Sequence, residues 1–111
     1  MAKTLRVLAL STLTVAVVAV GSCAMQVHRY NAALNQVAVG DAETIVIGRL
    51  GNPSFRELAG APYLRYTGTP CAAPCAVRLW WEWPILPGIE AWSVELGQDN
   101  KVVKTYHWVS P

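Results

Sequence analysis

The spacing of apolar and polar positions changes three times along the chain. From Val7 to Val20 there is no charge for 14 residues, only Val, Leu, Ala, Ser and Thr. From Tyr30 the period becomes helical: Tyr30, Leu34 and Val37 fall at i, i+4 and i+7 and predict a helix over Tyr30–Val39, stopped by Gly40. A second helix is expected from Ala42 to Leu50. Asp41 would be its N-cap, Glu43 suits the dipole of the first turn, Gly51 suits C′, and Pro53 follows. The β-branched run Ile45-Val46-Ile47 favours strand, but the flanking caps outweigh it.

Beyond Pro53 the period shortens to two. Strands are expected at Ser54–Leu58, Tyr63–Thr67, Val77–Trp83, Ala91–Leu96 and Lys101–Val109. They are separated by Ala59-Gly60-Ala61-Pro62, by the loop Gly68–Pro74 and by Pro84, Pro87 and Gly88. In the third strand Val77, Leu79, Trp81 and Trp83 share one face, and Arg78, Trp80 and Glu82 the other. Gly97-Gln98-Asp99-Asn100 is a hairpin turn. A two-residue turn at Asp99-Asn100 sets Glu95 opposite Lys104, a favourable pair. That register puts Leu96 against Val103, Val94 against Thr105 and Trp92 against His107 on the core face. Ser93 with Tyr106 and Ala91 with Trp108 point the other way, and a slip of one residue would invert both sets.

Length and charge sharpen this picture. The 111 residues suffice for one domain, which excludes a multi-domain enzyme. Lys3 and Arg6, then the short apolar run, then Gly21 and Ser22 describe an export signal; a membrane span needs about 20 apolar residues. Val20-Gly21-Ser22-Cys23 resembles the bacterial lipobox, in which the cysteine is lipidated and the leader is cut before it. On that reading residues 1–22 are a signal peptide, Cys23 carries the lipid, and 23–29 form a tether. Two or more acyl chains make such an anchor stable. Ala24, where an Asp commonly marks inner-membrane retention, suggests the outer membrane and its periplasmic face. An ordinary cysteine after a plain signal, or an uncleaved anchor, are the alternatives. The leader holds two of the nine basic residues, so the exported 89 residues have seven basic against seven acidic. That neutrality argues against a nucleic-acid partner bound through general basicity.

The segment Gly40-Asp41-Ala42-Glu43-Thr44-Ile45-Val46-Ile47-Gly48-Arg49-Leu50-Gly51-Asn52-Pro53 resembles a motif of the SmpA/OmlA family of outer-membrane lipoproteins. A Gly, an aliphatic residue six positions on, and Leu-Gly-x-Pro fall on Gly40, Val46, Leu50, Gly51 and Pro53. The ending Val94–Val102, a strand, turn and strand, is also similar. The chain departs at Ala42, where the family usually places Thr or Ser as a helix cap. The resemblance implies an α+β domain at 30–111, with two N-terminal helices packed on a small antiparallel sheet. This two-layer sandwich is of the BamE and β-lactamase-inhibitor-protein type. It further implies a non-enzymatic scaffold or binding module, with the barrel-assembly machinery as a partner. A periplasmic inhibitor or ligand-binding module is the rival reading.

Few residues invite chemistry. Cys71 and Cys75 flank Ala72-Ala73-Pro74; in an oxidising compartment nearby cysteines usually pair, and with Cys23 lipidated the remaining count is even. Free thiols, or a metal or redox site, are the alternatives. The redox motif needs two intervening residues rather than three, and a metal would need two ligands more than the cysteines, where His28 and His107 have no ligand-like spacing. No cofactor is expected. A lone His107 among aromatics reads as packed rather than catalytic. Ser93 and Ser110 lack a nucleophile elbow, and Glu82, Glu90 and Glu95 are scattered, so no enzyme is expected. The load of five Trp and four Tyr is high. Trp81, Trp83 and Trp92 are expected inside. Trp80, Tyr106 and Trp108 form a candidate partner-binding face if nothing covers it.

Overall fold

A computed structural model describes residues 2–83 and 88–109; within the first helix it leaves aside the side chains at 2, 4, 5, 7, 19, 22 and 23. The chain is α+β, with helices α1 (Ala2–Gln36) and α2 (Glu43–Leu50) and strands β1 (Phe55–Leu58), β2 (Val77–Glu82), β3 (Glu90–Leu96) and β4 (Val102–Val109). The strands form one antiparallel sheet in the order β1-β2-β3-β4.

Helix α1 has two unlike halves. Leu8, Leu10, Leu13, Val15, Val17, Val18 and Val20 are each at least 60% exposed. Among the described side chains packing begins at Val27 and continues through Tyr30, Ala33 and Leu34, inside and beyond the segment read as a tether. The Tyr30 ring lies 4.8 Å from Trp92, whose Nε1 donates to Asn31 Oδ1 at 2.7 Å. No helix among the described residues is long and apolar enough to cross a membrane. The helix ends at Gln36 rather than Val39. Gly40–Glu43 is drawn away to the start of β4, where Gly40 N donates to Val102 O, Val102 N to Asp41 O, and Glu43 N to Asn100 O.

That pairing also changes the cap of α2. Ala42 is the N-cap and makes no side-chain cap bond, whereas Asp41 Oδ2 accepts from Ala38 N at 2.9 Å. The strand-like bond to Asn100 satisfies the Glu43 N–H that a side-chain cap would otherwise leave to water. At the other end Gly51 takes φ 83° and donates its N–H to Ile47 O, as expected of a C′ glycine. Val46 and Leu50 face the sheet, and α2 is pinned by Glu43–Arg56 (2.7 Å) and by Arg49 Nη1 to Gln36 Oε1 (2.7 Å).

Both helices cover one face of the sheet. There Leu79, Trp81, Trp92, Val94, Leu96 and Val102 are buried with Leu34, Val37, Val46 and Leu50. The expected parity of β2 and β3 holds, and so do the pairs Glu95–Lys104, Val94–Thr105, Trp92–His107, Ser93–Tyr106 and Ala91–Trp108. Leu96 pairs with Val102 rather than Val103, because the turn closes as Gly97 N to Lys101 O and leaves an irregularity next to Glu95. Residues 63–67 form turns instead of a strand, with Tyr66 N and Thr67 N both donating to Tyr63 O. Trp83 lies just beyond β2, half-buried, with an unpaired indole N–H among the described residues. The breakers Pro84 and Pro87, and Ser110, lie outside the described residues.

Candidate functional site

The face of the sheet opposite the helices carries Arg78, Trp80 and Glu82 from β2, beside Glu57 from β1 and Ser93 from β3. All five are buried, Trp80 completely. Strand alternation sends these residues away from the helices, so something else must exclude water. The long connection between β1 and β2 does so, laying Tyr63 and Tyr66 across Trp80 at ring distances of 5.5 and 5.2 Å.

Two carboxylates hold this cover down. Glu57 Oε1 accepts from Tyr63 N (3.0 Å), Trp80 Nε1 (3.0 Å) and Arg78 Nη1 (3.4 Å), while Oε2 accepts from Cys71 N (3.3 Å). Glu82 accepts from the Tyr63 hydroxyl and from Arg65 Nη1 at 2.6 Å. Burial, then the hydrogen bond to Glu82 and that carboxylate's charge, push the Tyr63 hydroxyl up to about 12, against the opposing pull of Arg65. The Tyr66 hydroxyl is also raised, first by burial, although it accepts from Gly88 N at 2.9 Å. Cys71 and Cys75 lie at disulfide distance with Cα atoms 5.6 Å apart, both buried, and close the far end of the cover.

Aromatic rings run across this face from one edge towards the other. Phe55 stacks on Tyr63 (4.2 Å), Trp80 meets Trp108 (5.2 Å), and Trp108 meets Tyr106 (4.6 Å). Arg78 lies with its guanidinium carbon 5.5 Å from the Trp80 ring and 5.9 Å from the Trp108 ring. Next to it a cleft of about 360 Å³ opens between the disulfide loop and strands β3 and β4, at the small end of the range for ligand sites.

The predicted partner face is therefore divided. Trp80 cannot contact a partner, because Tyr63 and Tyr66 cover it and its N–H is committed to Glu57. Trp108 is half-buried, its Nε1 donating to Ser93 Oγ at 2.8 Å, and only Tyr106, 49% exposed, presents much surface. Cys23 falls within α1 and its side chain is not among those described. His107 stacks on Trp92 (5.3 Å) and its Nε2 lies 2.6 Å from Glu90 Oε1. Among the described residues no group of three or more His, Cys, Asp or Glu is placed to hold a metal. Glu57 and Tyr63 were not legible as parts of a site. The only hint in the sequence was the shared face of Arg78, Trp80 and Glu82, which asks for a counter-charge. No family model, no curated protein and no solved structure matches this chain.

Proposed function

We propose that this chain is a lipid-anchored, non-enzymatic binding module of a bacterial envelope, held at the periplasmic face of the outer membrane through Cys23. The observation that carries this reading is the division of α1. Among the described side chains, the large apolar ones from Leu8 to Val20 are solvent-facing, and the first packed on the core is Val27. Cleavage before Cys23 would leave the whole packed body intact, with a lipid four residues from its first core contact. The cysteine pair at disulfide distance suits an oxidising compartment.

Two helices followed by antiparallel strands, the helices on one face, are in keeping with the SmpA/OmlA resemblance and its BamE-type sandwich. On that resemblance the partner is an envelope protein, with the barrel-assembly machinery the first candidate. Tyr106 and the exposed part of Trp108 on β4 are the aromatic surface left for docking on that face. A fatty-acid probe in cells should label the wild type and not Cys23→Ala; equal labelling of both, or a mature protein released by osmotic shock, would remove the anchor. The second reading, a ligand-binding module, is favoured by the cleft beside Arg78. Crosslinking in cells separates the two, since recovery of assembly subunits supports scaffolding and recovery of one periplasmic enzyme supports an inhibitor.

A further inference from the structure

Arg78 is the most unusual buried group of the molecule. It is 5% exposed, and a guanidinium offers five N–H donors that burial should oblige it to satisfy. Its one hydrogen bond among the described residues is Nη1 to Glu57, at 3.4 Å the longest of the four that carboxylate accepts. The Arg78 Nε has no hydrogen-bond partner among the described residues. Its register neighbour on β3, Glu95, forms no ion pair with it, nor does Glu95 pair with Lys104 across β3 and β4. These three residues line the same cleft, whose opposite wall is small and apolar: Pro70, Ala72, Ala73 and Pro74.

We propose that this cleft binds a carboxylate group on a small aliphatic body, such as the C-terminal end of a short-side-chain peptide, with Arg78 as the buried anchor. The Trp80 and Trp108 rings beside the guanidinium fix its orientation, which suits the planar, two-oxygen geometry of a carboxylate. Lys104, exposed at the rim, supplies a second cation. Glu57 behind Arg78 and Glu95 on the cleft wall offset the two cations, so the local charge is low, which favours a monoanion and disfavours a phosphate dianion. The alanine and proline wall offers an apolar surface against which a small aliphatic side chain can pack. The site is independent of the lipid at Cys23, and its failure would leave the anchoring proposal untouched.

The test is titration of the purified full chain with N-acetyl-dialanine, its C-terminal amide and inorganic phosphate, followed by proton–nitrogen correlation spectra that include the arginine Nε resonances. The acid should shift the Arg78 Nε signal and the backbone amides of Ala72 and Ala73, and the amide ligand should bind at least about tenfold more weakly. Glu95→Gln should tighten binding of the acid by removing a like charge, and Lys104→Glu should weaken it. Both residues lie on the cleft side of the sheet, outside the helix-side core, so neither variant threatens folding. Equal affinity for acid and amide, tighter binding of phosphate than of the acid, no shift at Arg78, or unchanged affinity in both variants would each overturn the assignment.

Discussion

At the scale of single residues, the decisive event is the burial of Glu57. A carboxylate withdrawn from water is tolerated when its lone pairs are filled, and four donors from three parts of the chain fill these. Glu57→Gln keeps the shape but leaves Arg78 buried without its counter-charge and sets an amide N–H against existing donors. The expected loss is about 3–5 kcal/mol in denaturant unfolding; a loss below about 1 kcal/mol would show that the hub is not under load. Tyr63 makes a separate prediction. Its hydroxyl stands near 12 in the folded chain against an ordinary 10.0, so below pH 10 both states hold the proton and its contribution is intact. Between pH 10 and 12 the unfolded chain releases that proton while the folded one keeps it, so stability must fall as pH rises. Tyr63→Phe should flatten this decline without abolishing it, because Tyr66 is shifted the same way; tyrosinate absorbance and unfolding curves across the window check both.

At the scale of elements, parity and caps were readable and long connections were not. Strand alternation sorted Val77, Leu79 and Trp81 from Arg78, Trp80 and Glu82, and the hairpin register followed from pairing Glu95 with Lys104. Gly51 was legible for the same local reason, since few residues other than glycine adopt its φ of 83° and ψ of −173°. Gly51→Ala should therefore cost about 1–3 kcal/mol, measured by thermal unfolding, although no atom crowds the position. Asp41 shows where local reasoning stops. By type it is a good N-cap, yet its carbonyl accepts from Val102 N, 61 positions away, and its carboxylate accepts from Ala38 N, so the cap position falls to Ala42. Tyr63–Thr67 reads as strand by composition. It turns instead because the Tyr63 hydroxyl and backbone are claimed by Glu82 and Glu57.

At the scale of the molecule, α1 sets the long dimension of a 66 × 27 × 20 Å body, and its described large apolar side chains from Leu8 to Val20 are exposed. Removing residues 1–22 should leave unfolding stability within about 0.5 kcal/mol, whereas removal through Tyr30 strips Val27 and the ring that covers Trp92 and should cost about 2 kcal/mol or more. Comparison of the two truncations by chemical denaturation gives the start of the domain directly; a large loss from the shorter one would contradict the division of α1. The same scale explains the fate of the aromatic face. Trp80, Tyr106 and Trp108 share a side of the sheet, but accessibility depends on a connection that crosses above only one of them.

Local chemistry alone determined the uncharged apolar run Val7–Val20, the glycine that ends α2, the alternating faces of β2 and β3 and nearly all of the hairpin register, because each rests on neighbours within a few positions or on one turn. The tertiary structure alone decided that Glu57 is buried, that Trp80 is covered, that Asp41 forgoes its cap and that Arg78 borders a cleft with a donor unspent. Each of these depends on groups brought together from distant parts of the chain, and residue spacing does not encode which of several compatible partners will arrive.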